Sequence, residues 1–437
     1  MKPSILVVAT SSWFPTARLV MALANAGCCV DAICPGGHPL CKTSVVRRAY
    51  TYRGLMPLRS IANAIAEARP VLVIPGDDLS AQHLHQLYAR ESRKGQAGAA
   101  ICQLIERSCG APENFSVVDR RGAFLDIAAK EGIRVPEVAV IEDIAALRGW
   151  IERAGYPVVL KADGTSGGYG VKIVRTLEEA ARSFRTLHAP PLLARAAKRA
   201  VVDHDRTLIW PSLLRRRSGV TAHSFIDGKD VTSTVACWKG KVLAALHFEV
   251  IRKRYVSGPA SVMRRLDNSE MTEAVEKMVR RLGLSGFHGF DFLLEASSSH
   301  AYLIEINPRT TQVGHLTLGP ERDLPAALVA SLTGSNIHPA VIATENETIA
   351  LFPQEWMRDP ASPFLESAYH DVPWEEPELL RACLQRRPNQ ARAQRSKRVG
   401  FGLGRGSRSP SLKFKVSKHR PSPGSGQIDQ DDGGVIV

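Results

Sequence analysis

From Leu303 to Arg309 the chain reads Leu-Ile-Glu-Ile-Asn-Pro-Arg, so Glu305, Asn307 and Arg309 alternate with Ile304 and Ile306. A two-residue period is that of a β-strand, which sends successive side chains to opposite faces. One face of this strand is therefore wholly polar and the other wholly apolar, which places it on a core with carboxylate, amide and guanidinium turned outward. Asp291 lies in the preceding strand-like segment Phe290 to Leu294, and a hairpin through the Ser-rich turn can bring it opposite Glu305. Two carboxylates and an amide oxygen at one spot suit Mg²⁺, with Mn²⁺ as the alternative ion, because such hard cations take oxygen ligands and keep water and phosphate in their shell. Arg309 can hold a transferring phosphoryl group or a bound anion. A solvated polar face is the ordinary alternative, and the apolar opposite face argues against it.

A second constellation lies upstream. Tyr156 to Ala162 reads as a strand ending in Lys161, followed by Asp163-Gly-Thr-Ser-Gly-Gly-Tyr-Gly170 and a further strand, Val171 to Arg175. The arrangement puts an ammonium and several backbone N–H donors where phosphate oxygens could lie, and glycine lets the backbone approach closely. A plain glycine hairpin with a lysine nearby would carry the same letters. Strand, loop, strand is a hairpin and not a P-loop.

At 437 residues the chain is long enough for two or three domains. Its first part alternates strand and helix: Ile5 to Ala9, Thr16 to Ala26, Val30 to Cys34, Leu58 to Ala68, Val71 to Ile74 and Leu79 to Arg90. This pattern predicts an open parallel α/β sheet. No Gly-x-Gly-x-x-Gly follows the first strand, which disfavours a dinucleotide enzyme. Pro75-Gly-Asp-Asp78 stands at a strand end, where ligands bind in such sheets, although it also spells an ordinary turn. Farther on, residues 191 to 202 read as a helix, Gly219 to Arg252 as three strands, Met271 to Leu282 and Leu324 to Leu332 as helices, and Ile349 to Phe352 as a short strand. Leu351 to Trp356 and Tyr369 to Glu376 are rich in Trp, Pro and acids with little period, and read either as an ordered extension wrapping the core or as part of a substrate or subunit surface.

The net charge of +14 would suggest a polyanionic partner, but twelve Lys or Arg against three Asp from Gln385 onward supply +9 of it. The rest is only mildly basic, and the tail has the composition of a disordered segment. Nonspecific attraction to nucleic acid is the most this charge supports. Eight cysteines without a CxxC pair indicate neither zinc site nor disulfide framework, and buried thiols of a reducing cytosol are expected. No stretch approaches the length of a membrane span. A cytoplasmic protein without membrane contact is the expectation.

Taken together, Tyr-Pro-Val-Val-Leu-Lys161, the loop ending at Gly170, His-Ser-Phe-Ile-Asp-Gly228, Gly-Phe-Asp-Phe292 and Ile-Glu-Ile-Asn-Pro-Arg309 resemble the ATP-grasp superfamily of ATP-dependent ligases, from about Asp119 to about Leu332. The resemblance implies an α/β and α+β architecture: an N-terminal open parallel α/β domain over 1–115, then a two-lobed ATP-grasp domain over 116–335. Its small lobe would span about 135–215 and its central lobe about 219–335, followed by a C-terminal extension over 336–384 and the basic tail over 385–437. It also implies residue roles. Lys161 and Arg121 would contact phosphates, and Ser166, Gly167, Gly168 and Gly170 would close over them. Ser224, Phe225 and Ile226 would form the hinge that meets adenine, and Asp230 would bind the ribose. Asp291, Glu305 and Asn307 would be the metal ligands, and Arg309, with Lys161, would act in catalysis. His247 to Glu249, Arg252 to Tyr255 and His315 could face the acceptor.

This chain departs from the family at Arg120-Arg121, where a lysine is usual, and at His223-Ser224, where the hinge commonly begins with Gln or Glu. Implied cofactors are ATP and Mg²⁺. The implied reaction is phosphorylation of a carboxylate to an acyl phosphate, which an amine or another nucleophile attacks; the implied partners are those small molecules, with a homodimer as the candidate oligomer. Carbamoyl-phosphate-synthase-like or carboxylase chemistry, or ATP binding without catalysis, are the alternatives.

Overall fold

Ile5, Leu6, Val7 and Val8 are all fully buried, the signature of a parallel strand covered on both faces. A computed structural model of the chain describes residues 2–162, 170–190, 212, 217–255, 258–319, 322–334 and 342–385. Its first sheet comprises β1 (Ser4–Val8), β2 (Cys29–Cys34), β3 (Val46–Thr51) and β4 (Leu72–Pro75), all parallel, in the order β3-β2-β1-β4. Alternate residues of β1 enter different cores: Ile5 and Val7 join one cluster, Leu6 and Val8 another. β3 is not evident in the sequence. It is an edge strand whose Arg47 and Arg48 are exposed, and charge on an open edge hinders pairing with another chain, so the strand shows no hydrophobic period.

The second sheet joins β5 (Val138–Ile141), β6 (Val158–Ala162), β7 (Val171–Val174) and β8 (Val220–Ser224) in the order β5-β8-β6-β7, antiparallel throughout. Helices Ile144–Ala154 and Leu177–His188 share its core.

A third, seven-stranded sheet holds β9 (Gly228–Trp238), β10 (Lys241–Lys253), β11 (Ala260–Leu266), β12 (Gly286–Glu295), β13 (Ala301–Asn307), β14 (Thr348–Leu351) and β15 (Tyr369–Asp371), in the order β13-β12-β9-β10-β11-β14-β15. Phe290, Phe292 and Val235 face helices Arg121–Lys130 and Ser269–Leu282 in one core. On the other side, Ala236, Leu246 and Phe248 share a core with Ile5, Val7, Leu19 and Leu23 of the first sheet and its helix Phe14–Asn25. The first and third sheets are thereby held in fixed register, which positions the site described below. Met1–Arg386 form one compact unit.

β14 matches the short strand expected over Ile349 to Phe352, whereas β15 and the last helix were not expected. β14 and β15 extend the central sheet, and helix Pro377–Gln385 lays Leu379 and Cys383 against Ala17 and Met21. Elements of three to five residues are too short to print a period, so their order comes from tertiary packing. Among the described residues, no helix is long and apolar enough to cross a membrane.

Candidate active site

The hairpin β12–β13 places Asp291 directly opposite Glu305. Asp291 accepts hydrogen bonds from Thr232 Oγ1 at 2.8 Å and Asn307 Nδ2 at 3.0 Å. Burial, and then the neighbouring Glu305 carboxylate, raise its pKa. Two crowded carboxylates beside an amide are a donor set that a divalent cation would relieve, and Asp291, Glu305 and Asn307 therefore fit Mg²⁺. Among the described residues no group of three His, Cys, Asp or Glu side chains forms a metal cluster, so remaining ligands would be water and phosphate.

Facing this hairpin is the end of β6. Lys161 is 8% exposed, and burial, with the Arg121 cation next, lowers its pKa to about 8 against the opposing pull of Glu305, Asp291 and Asp230. Arg121 opens helix Arg121–Lys130 and pairs with Glu305 at 2.9 Å. Arg121 thus reaches the carboxylate expected to hold metal, while its Nε is buried without a partner.

β8 adds His223, marked in the sequence only as a departure from the usual start of the hinge. Val220 and Ala222 face the core of the second sheet, whereas Thr221 and His223 face the other way, where Thr221 Oγ1 reaches the Lys161 carbonyl. Burial, then Lys161 and Arg121, hold the His223 imidazole down at about 2, so it is neutral. Its Nε2 pairs with Thr221 Oγ1 at 3.0 Å and its Nδ1 has no partner. The signal was the same two-residue period that exposed Glu305 and Asn307.

The remaining expected residues divide three ways. Ser224 closes β8, exchanging hydrogen bonds with the Glu137 backbone, and half-buried Phe225 and Ile226 form the irregular link from the second sheet to the third. Asp230 is tied to Lys253 at 2.6 Å. Gly170 accepts from Ala162 N at 2.9 Å across the loop's base with φ +84°, a conformation that suits glycine. Ser166, Gly167 and Gly168 lie outside the described residues, as does the expected helix over 191 to 202.

Arg309 connects the site to the first sheet. Its Nε lies 2.9 Å from Asp78 Oδ1 and its Nη2 3.3 Å from Oδ2, while its guanidinium carbon sits 5.4 Å from the Trp13 ring centre. Pro75-Gly-Asp-Asp78 makes the turn its letters allowed, and its last residue reaches Arg309. Asp77 is structural, capping helix Asp78–Ser92 and accepting from Thr10 and Ser11, and Asp78 faces the site. Nothing in the sequence marked Trp13.

Two acceptor-side readings are not met. His315 is bound through Nε2 to buried Asp371 at 2.7 Å, and Asp371 also pairs with Arg18. His247 lies between Ser233 and Thr272 on the opposite face of the sheet from Asp291, lining a groove of about 680 Å³ with Asp267 and Arg322. That groove is away from the lysine and carboxylates and has no part in the site.

A protonated Lys161 is the form that attracts phosphate. With its pKa at about 8 in the free site, ATP affinity is expected to stay flat below that pH and to weaken by up to about tenfold per unit above it. Lys161→Arg, charged throughout, should abolish the dependence. Calorimetric titration with ATP between about pH 7 and 9.5 reads this directly, and constant wild-type affinity would refute it.

Comparison with known proteins agrees with the geometry. The family described as "Carbamoyl-phosphate synthase L chain, ATP binding domain" matches residues 119–317. A phosphoribosylamine–glycine ligase of Ralstonia nicotianae is 27% identical over 131 residues, 30% of this chain and 26% of that protein. The arginine-specific large chain of carbamoyl phosphate synthase from Halalkalibacterium halodurans is 23% identical over 271 residues, 59% of this chain and 24% of that protein. The chain therefore spans about a quarter of the length of these curated relatives. Among solved structures, the biotin carboxylase domain dimer of Hydrogenobacter thermophilus 2-oxoglutarate carboxylase, in complex with MgADP, ADP and bicarbonate, superposes with a TM-score of 0.55 at 16% identity, covering 77% of this chain and 71% of that one. Residues 119–317 thus match an ATP-binding domain family, and these similarities support an ATP-grasp, ATP-dependent ligase type for that segment.

Proposed function

We propose that the protein is an ATP- and Mg²⁺-dependent ligase that joins a small carboxylic acid to an amine. The observation that carries this reading is the convergence of Lys161 with the Asp291–Glu305 rung, Asn307 and Arg309. Mg²⁺, when bound, supplies charge neutralisation for the phosphates. The chain's own residues bind and orient: Lys161 draws phosphate oxygens, Phe225 and Ile226 offer backbone and apolar surface at the hinge, and Arg309 holds the acid against the transferring group. A carboxylate oxygen attacks the γ-phosphorus as ADP leaves. The amine then attacks the acyl carbon, phosphate departs, and the amine proton passes to solvent. Such chemistry needs positioning rather than an activated nucleophile.

Bicarbonate is the second acid to consider, because the matched family and the bicarbonate-bound relative both lie near carbamoyl-phosphate and carboxylase chemistry. The test is phosphate release by the full chain with Mg-ATP against amino acids, small acids and bicarbonate, each with and without amines. Turnover that requires an acid and an amine supports the ligase, and turnover with bicarbonate alone supports the carboxylase-type reading. Mg-ATP binding without turnover across the panel would instead support a non-catalytic nucleotide-binding role. Light scattering of the same preparation tests the homodimer.

A further inference from the structure

Cys34 ends β2 and is 2% exposed, whereas Cys41, seven residues on in the short turn Pro39–Lys42, is exposed; their sulfurs stand 3.1 Å apart. All eight cysteines are free, and the others lack this combination. Cys28, Cys109, Cys237 and Cys383 are buried, Cys102 is half-buried with its thiol directed at the Tyr88 carbonyl, and Cys29 is half-buried at the start of β2. The segment between the pair is firmly held. His38 accepts from Leu40 N and bonds through Nε2 to the Ser11 carbonyl, Leu40 is fully buried, and Ser44 donates twice to Glu376. A bond between the two sulfurs would need them to close by about 1 Å, within reach of side-chain rotation.

We propose that Cys41 and Cys34 are a redox-active pair that closes into an intramolecular disulfide, with Cys41 meeting the oxidant and Cys34 resolving it. An exposed thiol beside a buried partner is the arrangement of a reactive cysteine and its resolving cysteine. The electrostatics agree. Pairing with Cys34, and then the Lys42 ammonium, bring the Cys41 thiol down to about 7 despite partial burial, while the same pairing and burial push Cys34 up.

With hydrogen peroxide as the two-electron oxidant, the Cys41 thiolate attacks one oxygen, the O–O bond breaks, and the leaving hydroxide takes up the proton the thiol had released, so that sulfenic acid and water form. The Cys34 sulfur then attacks the sulfenic sulfur, the S–S bond forms, and a second water leaves with the Cys34 proton. A dithiol reductant reverses the reaction. The pair lies on the loop that His38 ties to Ser11, two residues from Trp13 in the candidate active site.

The test is to expose the full chain to hydrogen peroxide, quench it, and count thiols after denaturation. Wild type should lose two of its eight thiols and regain both with dithiothreitol. Cys41→Ser should lose none under the same exposure, and Cys34→Ser should instead trap a dimedone adduct at Cys41. Loss of the same two thiols from Cys41→Ser, full retention by wild type, or no adduct at Cys41 in Cys34→Ser would each overturn the proposal. Cys41 is exposed, so its serine variant folds as wild type does and keeps the test decisive even if the buried Cys34 substitution does not.

Discussion

Glu305→Gln is expected to lower Mg-dependent ATP turnover by at least about a hundredfold while leaving the protein folded. The substitution keeps the shape and one oxygen but removes the charge that, with Asp291 across the rung, would hold a divalent cation. It also acts on two cations at once. Arg121 loses its ion pair with Glu305, and Lys161 loses one of the carboxylates that hold its proton against burial. The stability cost should be small, about 1 kcal/mol or less, because the glutamine oxygen can still accept from Arg121 and the Glu305 side chain is 30% exposed. Phosphate release across a magnesium titration, with thermal melting of both proteins, separates these effects. Wild-type turnover in a folded Glu305→Gln protein would remove Glu305 from the metal site and, with it, the ligand set built on the hairpin.

What was legible in the sequence is what a short period can encode. β1, buried on both faces, showed as an unbroken apolar run, and β13, with one polar face, as alternation; a hairpin bringing Asp291 opposite Glu305 was an allowed pairing that the register then realises. Where packing rather than period decides, the letters were silent. β3 carries arginines because it is an edge, and β15 is three residues long. The site divides in the same way. Its strand-borne members, Lys161, Asp291, Glu305 and Asn307, were readable, as His223 would have been from the same pattern. Trp13 was not, because it reaches Arg309 only through the way the first and third sheets share a core. His247 and His315 show the converse. Both stand in suggestive company along the chain, yet one lies on the far face of the sheet and the other is taken up by Asp371.

That shared core is also why Arg309 is expected to fail in two distinguishable ways. Arg309→Lys keeps a positive charge but loses the planar fork that spans both Asp78 oxygens and the flat face that meets Trp13. If Arg309 holds the acid and the transferring phosphoryl group while Lys161 and the hinge bind ATP, turnover should fall by about 10²- to 10³-fold with little change in ATP affinity. Asp78→Ala attacks the same contact from the other side. Breaking a fully buried pair by removing one partner costs about 3–5 kcal/mol. The Arg309 side chain is 14% exposed and that of Asp78 is 31% exposed, so solvent screens part of the loss, and a cost on the order of 2–3 kcal/mol follows. Urea unfolding measures that cost, and kinetics on the folded fraction measure the rest. A purely structural arginine would give equal stability losses in both variants with turnover unchanged per folded molecule. An arginine that works on the substrate and is aimed by the first sheet would give a deep turnover defect in Arg309→Lys with little loss of stability, and in Asp78→Ala a stability loss joined to a smaller fall in turnover at unchanged ATP affinity. The second pattern would make the N-terminal sheet part of the catalytic apparatus, since the acid that orients Arg309 stands at the mouth of β4.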